Sequence, residues 1–397
     1  MLKKFICLAS SAAVMLFSGC ENQSDLPPDS LSNISNSEQT EIQSGSNTES
    51  TSDTQSSTNT LDSSGSQNNS SSQGSSDTQN SSSSQDSSDT QTSPKPEQPD
   101  NSGNTINIPQ TGMTLSVPSE YMEAAEKQAN VVRIEYDSKD YVRDGSPITK
   151  TAYVYLPYGY DESDTETRYD IVYLMHGLGG REGEYFDMGT MKNMFDNLIA
   201  KGDMKPTIMV SATFYNENSD RSFGGSDSEL RQFHLDFTEN LMPAVEGRFH
   251  TYARSTSKED LIASRDHRAF AGFSLGSVTT WMEFCYDSEY IRYFLPMSGA
   301  CWYYGGYGNY YPEETCDFFE ELIAENDLNE RGYFIYATTG TQDTVRGQVE
   351  IQMQEMLKRN DVFSPDHLVY YQKEGGYHDF NAVQEYLYNA LPLFFGT

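Results

Sequence analysis

The chain has 397 residues, of which 36% are hydrophobic, and a formal net charge of −33. An acidic excess of that size repels a phosphate backbone and argues against nucleic acid as a partner. It fits a soluble extracellular protein acting on a neutral polymer.

Residues 1–20 read as a bacterial secretion signal. Lys3 and Lys4 are followed by an apolar run from Phe5 to Phe17, and then by Phe17-Ser18-Gly19-Cys20. Small residues before a cysteine form a lipobox, so Cys20 is the expected acylated N-terminus; the alternative is an ordinary signal peptide cut nearby. The apolar run is too short for a good membrane span, and no other segment approaches span length. Lipid would therefore be the only membrane anchor. Residues 21–105 are built from Ser, Thr, Asn, Gln, Gly and Asp, with Ser-Asp-Thr-Gln recurring at Ser52–Gln55, Ser76–Gln79 and Ser88–Gln91. Such a segment cannot bury enough surface to offset its chain entropy and is expected to be a disordered tether. The expectation for residues 106–397 is one catalytic domain.

Within that domain, Val131–Tyr136 and Thr151–Leu156 alternate apolar and polar residues and predict an antiparallel pair at a sheet edge. Tyr169–Met175 is apolar throughout, as a buried central strand is. Helical spacing follows from Thr190 to Ala200, a second buried strand at Thr207–Ala212, and an amphipathic helix from Ser228 to Val245. Ala269–Phe273 is a short apolar strand, with a helix from Val278 to Tyr286. Next come a strand at Phe294–Gly299, a helix at Glu313–Glu325, a strand at Tyr333–Thr338 and a helix at Val345–Lys358. A strand at Leu368–Tyr371 and a helix at Asn381–Phe394 close the chain. Strands that alternate with helices, most of them apolar throughout, predict a mostly parallel sheet covered on both faces. Of the domain's cysteines, Cys285, Cys301 and Cys316, an oxidising compartment allows one disulfide, with Cys301–Cys316 the favoured pair and one thiol left over. No His or Cys stands at ligand spacing, so no metal or organic cofactor is implied.

Ligands in such sheets sit at the carboxyl ends of the strands, and the chemistry-bearing motifs fall there. Gly272-Phe273-Ser274-Leu275-Gly276 joins the Ala269–Phe273 strand to its helix. A strained turn there exposes the Ser274 hydroxyl, and the two glycines remove side chains that would collide with neighbouring backbone. A base is expected after the last strand, where His378 lies in Gly375-Gly376-Tyr377-His378-Asp379-Phe380. His234, His250, His267 and His367 have polar surroundings and are expected on the surface. The acid is expected one strand earlier, and Asp343 is the only carboxylate of Thr339–Thr344; Asp379, Asp317 and Asp327 are its rivals, and capping the following helix is its alternative role. Two backbone N–H groups would receive a developing oxyanion. One is that of Leu275, and the other comes from His176-Gly177-Leu178-Gly179-Gly180, with Leu178 preferred and Gly177 next. His176 is expected to order that loop. The order Ser274, Asp343, His378 is that of α/β-hydrolases.

These blocks carry a resemblance. Tyr173–Gly177, Tyr252–Thr256, Ile262–Arg268, the elbow with Thr279-Thr280-Trp281, Tyr293–Gly299, Ala337–Gly340 with Asp343, and Tyr386–Pro392 resemble family 1 carbohydrate esterases. Within them the chain looks most like the feruloyl esterase modules attached to bacterial xylanases. The resemblance implies an α/β-hydrolase fold, a Ser274-His378-Asp343 triad, and ester-bearing plant cell-wall polysaccharide as substrate. Relatives often carry an acidic residue where Ala300 stands, and glycine where Ser277 and Leu178 stand, beside the expected substrate groove. The aromatic loop Cys301–Tyr311 supplies rings that could stack on sugar or a phenolic acyl group. Trp302 and Tyr303 are the expected substrate contacts, with His176 and Ala300 beside them. The resulting expectation is a secreted serine esterase for feruloyl or acetyl groups on xylan. The alternatives are another acyl hydrolase or acyltransferase on the same fold, or a non-catalytic carbohydrate-binding surface lipoprotein.

Overall fold

The computed structural model describes residues 116–303 and 310–395. The expected leader, Cys20 and the Ser-rich tether lie outside the described residues, as do residues 304–309 of the aromatic loop.

Strands β1 (Asn130–Lys139) and β2 (Pro147–Leu156) form the expected antiparallel pair. Their alternation has a cause: β1 lies at the sheet edge, so its residues alternate between core and water along its second half. Strands β3 (Asp170–Met175), β4 (Thr207–Ala212), β5 (Arg268–Phe273), β6 (Tyr293–Met297), β7 (Phe334–Gly340) and β8 (Leu368–Lys373) run parallel. The order across the sheet is β1-β2-β4-β3-β5-β6-β7-β8. Every residue of β3, β4 and β5 is buried, because helices cover both faces.

The helices divide between those faces. α1 (Met191–Lys201) packs against one. α2 (Phe223–Asp236), α3 (Leu275–Asp287), α4 (Pro312–Glu325) and α5 (Arg346–Lys358) pack against the other, and α6 (Phe380–Ala390) returns to the first. Alternate residues of β3 serve the two layers: Ile171, Tyr173 and Met175 face Phe237 and Trp281, while Val172 and Leu174 face Phe195 and Leu387. Each large side chain so buried contributes roughly 1.5–3 kcal/mol. Among the described residues no helix is long and apolar enough to cross a membrane.

Several expectations change. α2 begins at Phe223, not Ser228, because the Ser222 hydroxyl caps it by accepting from Gly225 N–H at 3.2 Å; Gly224 and Gly225 hide the helical signal. The helix opens into a π-turn at Phe237–Leu241 before an α-helical turn at Met242–Glu246. Pro243 explains this, since it has no N–H and its ring crowds the preceding turn. The last helix stops at Ala390, where Leu391–Leu393 tightens around Pro392. The favoured Cys301–Cys316 disulfide is not formed: all three thiols are free and buried, and the Cys301 thiol meets that of Cys285 on α3. His234, expected at the surface, packs its ring 4.0 Å from that of Tyr286, and burial pushes its pKa down to about 4.

α3 carries two buried carboxyls, Glu283 and Asp287. Burial pushes Glu283 far above the carboxylate range and Asp287 up to about 7. In the unfolded chain both would ionise near pH 4. The fold therefore holds more protons than the unfolded chain between about pH 4 and 7, and stability falls as pH rises across that window. Glu283→Gln should flatten the decline of Tm over this range relative to the natural protein. Parallel Tm curves for the two proteins would contradict it.

Candidate active site

The Gly-x-Ser-x-Gly turn joins β5 to α3. Ser274 has φ 58° and ψ −117°, a strained conformation for a residue with a side chain. Neighbouring backbone fixes the turn: Ser274 N–H donates to Met297 O at 2.9 Å. A Cβ on Gly276 would strike the Met175 carbonyl oxygen, and one on Gly272 would strike that of Gly276. The glycines are thus required by the close passage of β3 and of the turn's own return.

His378 and Asp343 reach Ser274 from the loops after β8 and β7. Those loops are laced together, with Thr341 N–H donating to Lys373 O at 2.9 Å, Gln342 N–H to Gly376 O at 2.9 Å and Gly375 N–H to Thr341 Oγ1 at 2.8 Å. The result is a continuous chain of side chains. His378 Nε2 lies 3.0 Å from Ser274 Oγ, and His378 Nδ1 lies 3.0 Å from each oxygen of Asp343. The Asp343 side chain is fully buried, whereas the His378 ring is a quarter exposed. Phe273 packs its ring 4.6 Å from the imidazole. Asp343 Oδ1 also accepts from Val345 N–H at 2.8 Å, so it braces the start of α5 as well as meeting the histidine. Asp379 instead caps α6, accepting from Ala382 N–H at 2.9 Å.

The β3 loop passes close to the serine: a Cβ on Gly177 would sit 3.1 Å from Ser274 Cβ. Among the described residues, neither the Leu275 nor the Leu178 N–H donates to a protein acceptor. Leu275 opens α3, where N–H groups have no intrahelical partner and the helix dipole favours negative charge.

His176 is not available to a substrate, contrary to one expectation. It is fully buried, with Nδ1 2.8 Å from Gly177 O and Nε2 2.6 Å from Thr213 Oγ1. Burial pushes its pKa down to about 3, so the ring is neutral. A carbonyl can only accept, so Nδ1 carries the proton and Thr213 donates to Nε2. Gly177 C=O and Leu178 N–H belong to one peptide unit, so His176 orients the Leu178 donor directly.

Trp302 is nearly buried, with its ring 5.6 Å from that of Phe223 and its carbonyl accepting from Arg231 Nη1 at 2.9 Å. Tyr303 stacks on Phe318 at 4.0 Å. Ala300 is buried, and so is Ser277, whose hydroxyl donates to Gly299 O at 2.9 Å. These side chains line up as supports of the β6 loop more than as open contacts. Thr213 and Tyr215 went unnoticed in the sequence, where the available signal was their position just after the carboxyl end of β4, and so did Phe223, which opens α2. Among the described residues no group of His, Cys, Asp or Glu side chains is arranged to hold a metal ion.

Residues 148–394 match the family model described as "Putative esterase". The chain is 34% identical over 302 residues to endo-1,4-beta-xylanase Y of Acetivibrio thermocellus, covering 75% of this chain and 26% of that protein. It is 33% identical over 171 residues to an endo-1,4-beta-xylanase/feruloyl esterase of Xylanibacter ruminicola, covering 42% of this chain and 21% of that protein. The chain thus spans about a quarter of the length of the curated relatives it matches. Among solved structures, a variant of the feruloyl esterase module from Clostridium thermocellum complexed with sinapinate aligns with a TM-score of 0.61 at 32% identity. That alignment covers 70% of this chain and 93% of that chain. A CE1 ferulic acid esterase from Anaeromyces mucronatus, in complex with ferulic acid, aligns with a TM-score of 0.55 at 20% identity, over 72% of this chain and 98% of that chain; this is a likeness of fold. On the extent of these matches the chain belongs to this esterase family, as a carboxylic ester hydrolase of the α/β-hydrolase fold and a family 1 carbohydrate esterase.

Proposed function

We propose that the protein hydrolyses feruloyl or acetyl esters on plant cell-wall xylan through an acyl-enzyme on Ser274. The observation that carries the reading is the unbroken chain from Asp343 through His378 to Ser274, each step at 3.0 Å. His378 takes the Ser274 proton as Oγ attacks the ester carbonyl, and Asp343 holds the imidazole in the right tautomer and stabilises the imidazolium. The tetrahedral oxyanion is received by the N–H groups of Leu275 and Leu178. His378 then protonates the departing sugar alkoxide, leaving an acyl group on Ser274. A water, deprotonated by the same histidine, releases the free acid and restores the serine. Similarity to the module solved with sinapinate, a hydroxycinnamate, supports the feruloyl choice. The leader and Cys20 support a lipid-anchored enzyme at the outer cell surface, with residues 21–105 as its tether.

The test is release of ferulate from methyl ferulate and of acetate from acetylated xylan. At least one should be released, and Ser274→Ala should lower the rate by roughly 10⁶. Retained activity in that variant would sink the assignment.

A further inference from the structure

The peptide that carries the Leu178 N–H is held through its Gly177 carbonyl, which accepts from His176 Nδ1 at 2.8 Å and from Gly180 N–H at 3.2 Å. Leu178 joins two peptide units, Gly177–Leu178 and Leu178–Gly179. Its side chain is 40% exposed and so packs too little to fix the backbone between them. A second anchor comes from Tyr215, which is 1% exposed and follows β4. Its hydroxyl accepts from Gly179 N–H at 3.1 Å and lies 2.7 Å from Ser226 Oγ. Ser226 Oγ donates to Ser222 O at 2.7 Å, so its lone pairs are free to accept from the phenol. The donors therefore run in one direction, from Gly179 N–H to Tyr215 O–H to Ser226 O–H to Ser222 C=O, and end at the residue that caps α2. The Tyr215 ring is itself confined. The His176 imidazole stacks at 5.4 Å and 22°, and the Arg221 guanidinium lies 4.5 Å over it while donating to Gly180 O at 3.3 Å.

We propose that Tyr215 is a positioning residue for the oxyanion donor: its hydroxyl, oriented by Ser226, holds the Leu178–Gly179 peptide and thereby the direction of Leu178 N–H. The inference rests on the reading that Leu178 N–H receives the oxyanion. With His176 and Gly180 N–H on one peptide unit and Tyr215 on the next, both backbone torsions of Leu178 are set before substrate arrives. Preorganised donors are worth most in the transition state, where charge develops on the oxygen. The loss of this hold should therefore appear in the chemical step and not in ground-state binding.

Tyr215→Phe keeps the ring and its stacking and removes only the hydroxyl. On methyl ferulate, kcat should fall roughly ten- to a hundredfold while KM changes less than about twofold. The affinity of phenylboronic acid, whose tetrahedral adduct on serine places an oxygen at the oxyanion position, should weaken by the same factor as kcat/KM. Ser226→Ala should give the same pattern with a smaller size, and it carries the test if Tyr215→Phe does not fold. Unchanged kcat and boronate affinity in the folded variants, or a raised KM at unchanged kcat, would overturn the proposal. Those outcomes leave the esterase reading intact, since that reading is tested separately by ester release in the natural enzyme and its loss in Ser274→Ala.

Discussion

Asp343→Asn should lower kcat by roughly 10⁴ with little change in KM. The carboxylate accepts from His378 Nδ1 and from Val345 N–H. An amide of the same shape can still accept from Val345, so the loop should keep its course and the melting temperature should hardly move. What changes is the proton on the imidazole. An amide N–H facing Nδ1 favours the tautomer with its proton on Nε2, and that nitrogen must be unprotonated to take the Ser274 proton. The companion variant decides between the two nearby acids. Asp379→Asn should leave kcat within a few-fold of the natural enzyme, because Asp379 is engaged with Ala382 N–H at the start of α6. Steady-state kinetics on methyl ferulate checks both. A small effect at Asp343 with a large one at Asp379 would reverse the assignment.

Glu246→Ala should destabilise the fold by about 3–5 kcal/mol. Arg268, the first residue of the strand that leads to Ser274, is paired with Glu246 by two bonds of 2.6 and 2.8 Å, and both side chains are almost wholly buried. The guanidinium is completed by Leu261 O, Tyr290 O and Ser264 Oγ, while Glu246 also accepts from Tyr173 and Thr251. Removing the carboxylate leaves a charged group in the core with no counterion. The double variant Glu246→Leu/Arg268→Met should recover part of the loss, since an apolar pair replaces an ion pair without leaving a lone charge. Chemical denaturation gives the comparison. A loss below about 1 kcal/mol for Glu246→Ala would mean that water reaches the site.

Much of the fold was legible because each strand's burial leaves its mark on the chain. β3, β4 and β5 are covered on both faces and read as mainly apolar runs with polar residues mostly at their ends, while β1 at the edge alternates. The meeting of Ser274, Asp343 and His378 was legible for a topological reason. All three stand at the carboxyl ends of parallel strands, which lie side by side in the order β5-β6-β7-β8. The glycines of the elbow could be read because a close backbone approach leaves no alternative residue.

What was hidden depends on contacts between segments distant in sequence. Thr213 and Tyr215 matter only because β4 pairs with β3, which brings their side chains to the Gly177–Gly180 loop. Trp302 reads the same whether it faces a sugar or the core, and only the position of Phe223 and Arg231 around it makes the difference. The cysteine pairing failed likewise. Cys316 was the favoured partner of Cys301, but α3 brings Cys285 to Cys301. At α2, Gly224 and Gly225 concealed the start of a helix whose cap, Ser222, lies outside the hydrophobic pattern.

The most direct test of the account is covalent trapping at Ser274. Intact-mass and peptide analysis after treatment with a fluorophosphonate probe should find a single adduct, on Ser274, with loss of ferulate release in step with labelling. Ser274→Ala should take up no probe and release no ferulate. A natural enzyme that releases ferulate while Ser274 stays unlabelled, or a Ser274→Ala variant that still hydrolyses the ester, would contradict it.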